Sequence, residues 1–525
     1  MRTLFRTQSG RVATILLASG FLAAAQVDPI AGLDDYIARA MTTFQVPGIA
    51  VAVVKDGKVV LAKGYGVRKL DEPAKVDAHT LFGIGSNTKA FTTAALAILI
   101  DEGKIQWDDR VVDRLPGFQM YDPYVTHEMT IRDLLTHRSG MGLGQGDLLA
   151  LPPTDYTSAQ IIHQLRYMKP ASSFRSKYAY DNLLYMVAGE IIPAVTDKPW
   201  KDTIRGRIFK VLGMTDSNTS VNEAGPGGNV ATPHVLIEGK LTPIHAAAVD
   251  NLAPAGAINS SVSDMAKWAI MQLDGGAIAG TSSRLFSQAR NREMWSPQTI
   301  LPVNQPPAAL APLQTNFAAY GLGWLLREYR GFKSVGHTGG LPGYVSQVFL
   351  IPEKKLGVVV LTNQESGGMF SSVTYRIADR YLGVEDHDWT KAFTDQAETR
   401  RKAAAEAERK AVASRPVDSK PSLPLENYAG TYADAWYGDI SIAWEQSKLV
   451  MRFSHTPALQ GDMEHWQYDT FKVRWRDRSL AADAFVTFTL NAAGRIREAT
   501  MEPVSALTDF SFDFQDLMLV PVKTK

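Results

Sequence analysis

The chain has 525 residues, 45% of them apolar, with 41 Gly and 27 Pro, a composition that describes a folded globular protein and excludes a disordered or collagen-like one. Its 55 basic residues almost cancel its 54 acidic ones, so there is no cationic surplus to bind a phosphate backbone, and nucleic acid is not expected as a partner. Cysteine is absent, which excludes disulfides, thiolate metal sites, a cysteine nucleophile and a lipid anchor on an N-terminal cysteine.

Arg2, Arg6 and Arg11 precede an apolar stretch from Val12 to Ala25 that closes on Ala23, Ala24 and Ala25. This is the pattern of an export signal over residues 1–25, cut before Gln26. The stretch is short for a bilayer span and no other segment is long and apolar enough, so no stable membrane insertion is expected once it is removed. An exported chain without disulfides fits a bacterial periplasm, or secretion into the medium.

Three further units are expected: a large domain over 26–390, a helical connector over 391–420 and a small β-domain over 421–525. Ile30 to Phe44 predicts a helix. Gly48 to Val67 predicts two strands joined by Lys55-Asp56-Gly57-Lys58, whose Asp-Gly is a strong hairpin signal. Val345 to Ile351 and Leu356 to Thr362 predict a second hairpin across Pro352-Glu353-Lys354-Lys355, so strands from both ends of the large domain should meet in one antiparallel sheet. The middle reads as helical and loop-rich. From Lys391 to Ser414 the composition turns to Ala, Glu, Lys and Arg, with Glu398 to Lys402 and Glu406 to Lys410 in the favourable i to i+4 order of a solvated helix. Beyond Pro421, Phe471, Val473 and Trp475, and again Phe510, Phe512 and Phe514, alternate with polar residues, which predicts strands of a small barrel or sandwich.

The chemistry-bearing segment is Phe82-Gly83-Ile84-Gly85-Ser86-Asn87-Thr88-Lys89, which runs into the apolar stretch Ala90 to Ile100 and so puts Ser86 at the start of a buried helix. Lys89 follows one turn later on the same face, beside the Ser86 hydroxyl. A serine hydroxyl is a weak nucleophile until a neighbour takes its proton, and a lysine does so only if its pKa falls from about 10.4. Burial and the positive end of a helix dipole both push in that direction. A capping serine followed by a surface lysine is the ordinary meaning of such a string, but a surface lysine calls for a polar helix face, and Ala94 to Ile100 offers none.

Other sites fail on the residues present. There is no Gly-x-Ser-x-Gly elbow, no His-Glu-x-x-His and no glycine-rich phosphate loop. His127, His137, His234 and His245 lack the carboxylate spacing of a zinc site, and His137 reads as a hydrogen-bonded structural residue.

With these residues in view, Ile30 to Leu382 resembles the penicillin-recognising serine hydrolases: class C β-lactamases, DD-peptidases, D-aminopeptidases and related esterases. The resemblance rests on Ser86-Asn87-Thr88-Lys89, the segment Thr130 to Gly140, Tyr180-Asp181-Asn182, Pro254-Ala255-Gly256 with Ser260 to Met265, and His337-Thr338-Gly339-Gly340 in the Lys-Thr-Gly position. It implies an α/β (α+β) β-lactamase-like fold: an antiparallel sheet flanked by helices, a helical subdomain and a crevice between them. The β-domain resembles the lipocalin-like modules appended to some members.

The resemblance further implies that Ser86 attacks a carbonyl, Lys89 activates it, Tyr180 relays the proton to the leaving group and Asn182 meets the substrate amide. Backbone N–H groups of Ser86 and Gly340 would form the oxyanion hole. His337 is the departure, since a Lys is usual there to pair with a substrate carboxylate, and a mostly neutral imidazole pairs less strongly. The expected function is therefore a peptidase on short or modified peptides (linear, D-residue-containing or toxin-derived) through an acyl-enzyme. An ester hydrolase with the same machinery ranks second and a β-lactamase third. A non-catalytic peptide- or peptidoglycan-binding protein is disfavoured by the intact Ser86, Lys89 and Tyr180. The partner is a small peptide or ester, no metal or organic cofactor is required, and the sequence sets no oligomeric state. Because every motif lies before Leu382, the β-domain is expected to govern access rather than chemistry.

Overall fold

In a computed structural model the chain is described from residue 28 to residue 522, except Ala224 and Pro226; the expected signal over 1–25 lies outside the described residues. Eight strands build one antiparallel sheet: β1 (Gly48–Lys55), β2 (Lys58–Gly66), β3 (Thr299–Leu301), β4 (Ala318–Tyr320), β5 (Leu325–Tyr329), β6 (Phe332–Leu341), β7 (Tyr344–Ile351) and β8 (Leu356–Thr362). Their order is β2-β1-β8-β7-β6-β5-β4-β3. Both expected hairpins form, and β8 inserts beside β1, joining the two ends of the domain. The first turn works because Asp56 and Gly57 both take positive φ, 51° and 73°, as a two-residue turn between twisted strands demands.

Side chains alternate across β1. Ala50, Ala52 and Val54 face one core while Ile49, Val51 and Val53 face the other. With both faces covered, β1 and β8 are apolar at nearly every position rather than at every second one. One face is closed by α1 (Leu33–Phe44), and the other carries α2 (Thr88–Asp101), α3 (Leu183–Thr196) and α4 (Val262–Leu273). Two later helices, α5 (Gly367–Leu382) and α6 (Trp389–Ala413), lie on the α1 side. Trp389 fixes the start of α6: its indole N–H donates to Asp379 at 2.9 Å, where Tyr329 and Arg330 also converge. From Glu398 on, α6 is almost wholly exposed and carries the pairs Glu398–Lys402 at 3.5 Å and Glu406–Lys410 at 3.7 Å.

After α6, eight antiparallel strands between Gly430 and Pro521 close into a barrel. The alternation of Phe471, Val473 and Trp475 is that of an inward face: all three are buried while Lys472 and Arg474 are not. The second alternation has another origin. Residues 510–513 are a turn and loop, not a strand, and the polar members point out of the barrel into the large domain.

Candidate active site

From Phe82 to Ile100 every residue is buried except Ser86. Ser86 sits in the short 3₁₀ turn Gly85–Asn87 ahead of α2. Its hydroxyl makes no capping bond, and Asn87 spends its side chain on Ser346 Oγ at 2.7 Å. Ser346 Oγ in turn donates to the Ile84 carbonyl at 2.7 Å, so β7 grips the turn on both sides of the serine. The buried α2 is made tolerable by satisfied threonines: Thr92 donates to the Pro254 carbonyl at 2.7 Å and accepts from the Trp200 indole at 2.9 Å, while Phe91 stacks on Trp268 at 3.9 Å.

Strand β6 passes against the same turn. A Cβ on Gly339 would lie 1.9 Å from the Ile84 carbonyl oxygen, and one on Gly85, whose φ is +50°, would lie 2.8 Å from Gly340 N. These glycines are required because two backbones touch, and that contact brings Gly340 N against the turn that carries Ser86. Gly339→Ala is expected to displace β6 from the turn, lowering stability by about 1–3 kcal/mol and ester hydrolysis more than tenfold. Thermal unfolding and initial rates check this; an active, equally stable variant would contradict the close approach.

Lys89 is fully buried. Its Nζ lies 3.1 Å from Ser86 Oγ, 2.6 Å from Asn182 Oδ1 and 3.3 Å from the Ala255 carbonyl. Two of these three neighbours are pure acceptors. A neutral amine has two N–H donors and one lone pair, so the donors go to Asn182 and Ala255 and the lone pair is left for the Ser86 hydroxyl. Burial lowers the Lys89 pKa to about 7, against the opposing pull of Asp147 and Asp181. The neutral base is thus well populated at neutral pH.

Tyr180 lies with its ring centroid 4.7 Å from Lys89 Nζ. Its hydroxyl is buried without a well-formed hydrogen bond among the described residues, with Ser86 beside it. Burial raises its pKa well above the ordinary value, so it stays a phenol and is suited to passing a proton rather than holding negative charge. His137, buried and at φ +54°, packs its ring 4.3 Å from the Tyr180 ring and accepts from the Asp181 N–H at 3.2 Å. That makes it a structural support of the Tyr180 loop.

Asn182, expected to meet the substrate amide, is 6% exposed. Its oxygen is taken by Lys89 and one N–H by Asp147 at 2.8 Å; its second N–H makes no hydrogen bond among the described residues. His337 is also buried. Nδ1 lies 2.5 Å from the Thr338 carbonyl and Nε2 lies 2.8 Å from the Tyr320 hydroxyl. A carbonyl only accepts, so Nδ1 carries the proton and Nε2 accepts from Tyr320. Burial, then the nearby Lys89, lower its pKa to about 3, which keeps it uncharged at neutral pH.

The structure therefore gathers Ser86, Lys89, Tyr180 and Asn182 round one point, with Gly340 and His337 on the adjoining strand. It adds groups that the sequence reading did not single out: Asp147, Asp181, Tyr320 and, from the barrel, Phe510, Ser511 and Asp513. The last three bring the barrel, expected to govern access because every motif lies before Leu382, into contact with the groups around Lys89. Ser511 Oγ donates to Asp147 Oδ2 at 2.9 Å, and Asp513 accepts from the N–H groups of Gly146 at 2.6 Å and Leu148 at 3.1 Å. Phe510 meets Tyr180 edge-on with centroids 5.9 Å apart.

The family described as Beta-lactamase matches residues 33–382, more than half of the chain. The chain belongs to that family. Within it, this is a penicillin-recognising serine hydrolase with an appended barrel, and residues 414–521 match a family described as Domain of unknown function (DUF3471). Among relatives, "Unguisins hydrolase ungD'" of Aspergillus campestris (strain IBT 28561) is 29% identical over 435 residues, covering 79% of this chain and 78% of the relative. "Penicillin-binding protein 4" of Amycolatopsis lactamdurans is 29% identical over 352 residues, covering 65% and 86%. The octameric penicillin-binding protein homologue from Pyrococcus abyssi superposes with a TM-score of 0.59 at 22% identity, covering 94% of this chain and 99% of that one, a likeness of fold across both domains.

Proposed function

We propose that this family member is a serine peptidase acting on short or modified peptides outside the cytoplasm, through an acyl-enzyme on Ser86. The observation that carries the reading is the buried Lys89 amine 3.1 Å from Ser86 Oγ, with its pKa near 7 and its donors spent elsewhere. Ser86 Oγ gives its proton to Lys89 Nζ as it attacks the substrate carbonyl carbon. The negative charge that forms on the carbonyl oxygen is met by the N–H groups of Ser86 and Gly340. The proton passes from Lys89 through the Tyr180 hydroxyl to the leaving nitrogen, the C–N bond breaks, and an ester to Ser86 remains. Water then attacks that ester by the reverse proton path, releasing the acid and restoring Ser86.

The relatives are named for different substrates, an unguisins hydrolase and a penicillin-binding protein, so substrate choice rests on this chain's own site. There the uncharged His337 stands where a fixed cation would favour a β-lactam carboxylate, and a charge-assisted bond is roughly twice as strong as a neutral one. Mass spectrometry of products from a mixed library of peptides, p-nitrophenyl esters and a chromogenic cephalosporin tests the ordering. Peptide cleavage well above cephalosporin turnover is expected; cephalosporin turnover matching that of the best peptide would reverse it.

His337→Lys probes the cause. The new ammonium should raise kcat/KM for the cephalosporin and, being close to Lys89, make the Lys89 ammonium less favourable, so the acid limb of the pH profile should move to lower pH. The variant leaves the Tyr320 hydroxyl without its acceptor at a cost of about 1–3 kcal/mol, so activity is compared at a temperature where both proteins are folded. Unchanged or lower cephalosporin turnover in the folded variant would contradict the assignment to residue 337.

A further inference from the structure

The barrel and the large domain meet at the loop 510–513, and the polar side chains of that loop do not simply cover a surface. Ser511 is 9% exposed and donates to Asp147 Oδ2 at 2.9 Å. The same Asp147 oxygen accepts from Asn182 Nδ2 at 2.8 Å, and Asn182 Oδ1 accepts from Lys89 at 2.6 Å. Asp513 holds the turn that carries Asp147 through two backbone N–H groups, and as a fully buried carboxyl beside Asp147 it is pushed well up from its ordinary pKa. Gly144, at φ +68°, brings that loop so close that a Cβ there would lie 2.6 Å from the Phe510 carbonyl oxygen. Four side chains thus run in series from the barrel to the proposed base.

We propose that Ser511 is a positioning residue of the active site, orienting Lys89 through Asp147 and Asn182, so that the machinery is completed only when the barrel is docked. The inference rests on the reading of Lys89 as the base for Ser86. A hydroxyl donating to a carboxylate fixes which oxygen faces Asn182, and an amide fixed at its nitrogen end presents its oxygen to the amine in one orientation. The link spans 364 residues of sequence, which makes the barrel part of the site rather than a neighbour of it.

The charges around this series set the sign of a pH effect. Asp147 faces Lys89, Asp181 and Asp513; Lys89 faces Tyr180, Tyr185, Asp147, Asp181, His137 and His337. Burial raises the Asp147 pKa to about 7, and the Ser511 hydrogen bond opposes that rise. Losing the bond leaves Asp147 neutral over a wider range, which removes a stabiliser of the Lys89 ammonium and lowers the Lys89 pKa. The neutral amine then persists to lower pH.

The test uses the full chain and a p-nitrophenyl ester. Ser511→Ala should lower kcat about ten- to a hundredfold, the range expected for a hydrogen bond to a charged group, with KM nearly constant and the acid limb moved to lower pH. Ser511→Thr, which keeps the hydroxyl, should restore both. Ser511→Cys, of similar volume and weaker donor strength, serves in place of Ala if that variant loses its thermal transition. Wild-type kcat and acid limb in folded Ser511→Ala or Ser511→Cys overturns the inference, as does a folded Ser511→Thr as impaired as Ala. Lys89→Arg, measured alongside, separates the two levels. An inactive Lys89→Arg with an unaffected Ser511→Ala rejects the positioning role alone, whereas an active Lys89→Arg rejects the base itself.

Discussion

Ser86→Ala is expected to abolish turnover of every substrate the enzyme accepts, by on the order of 10⁶-fold, as for removal of the nucleophile in other serine hydrolases. The fold should survive. Ser86 caps nothing, its hydroxyl makes its one well-formed hydrogen bond among the described residues with Lys89, and it is the one residue between Phe82 and Ile100 that reaches the surface. Losing that single bond should cost about 0.5–1.5 kcal/mol, and the neutral form of Lys89 loses only its acceptor role. Circular dichroism and thermal unfolding measure the fold, and ester hydrolysis measures the activity. Residual turnover above a few per cent in a folded Ser86→Ala protein would place the nucleophile elsewhere.

Replacing Lys89 carries the second largest effect. Lys89→Arg preserves a cation in the same pocket, but a guanidinium keeps its proton above pH 12 and has no lone pair for Ser86. The contribution of a general base, about 10²- to 10⁴-fold, should be lost. The wild-type enzyme provides the matching pH test. Lys89 must be neutral to accept the Ser86 proton, its pKa is about 7 because burial disfavours the ammonium, and so kcat/KM should fall as pH drops through about 7. Near-full activity at pH 5, or a Lys89→Arg variant within tenfold of wild type, would contradict the assignment.

What the sequence made legible follows from how local each relation is. Ser86 and Lys89 were readable because a spacing of three on a helix is a geometric statement in itself, and the apolar run that follows told that the lysine would be buried. The hairpins β1–β2 and β7–β8 were readable from the turn residues between them. Tyr180, Asn182, His337 and Gly340 could be placed only as members of an ordered set of strings, since nothing about Tyr180 distinguishes it locally from Tyr178 or Tyr185. Asn182 illustrates the limit: its neighbourhood with Tyr180 was visible, but its inward engagement with both Lys89 and Asp147 was not.

The barrel loop was misread for a physical reason. Phe510, Phe512 and Phe514 alternate with Ser511 and Asp513 as a half-buried strand would, yet the period of two arises because the segment is lodged between two domains. Phe514 stacks in the barrel on Trp475 at 5.8 Å, while Ser511 and Asp513 turn to the loop around Asp147. A buried aspartate in an apolar stretch was the available signal, since such a group needs partners. Those partners lie hundreds of residues away, and no local pattern could name them. Asp147 itself follows the glycine-rich run Gly140 to Gly146, where Gly140, Gly144 and Gly146 take positive φ. Glycines at such positions allow a tight loop but do not say what it holds.

The most direct test of the central claim is to treat the full-length enzyme with a fluorophosphonate at pH 8, digest it and map the adduct by mass spectrometry. A single modification on Ser86, absent in Ser86→Ala and strongly slowed in Lys89→Arg, is the predicted result. Modification of another residue, or labelling of Ser86 at an unchanged rate in Lys89→Arg, would contradict an active site built on Ser86 and Lys89.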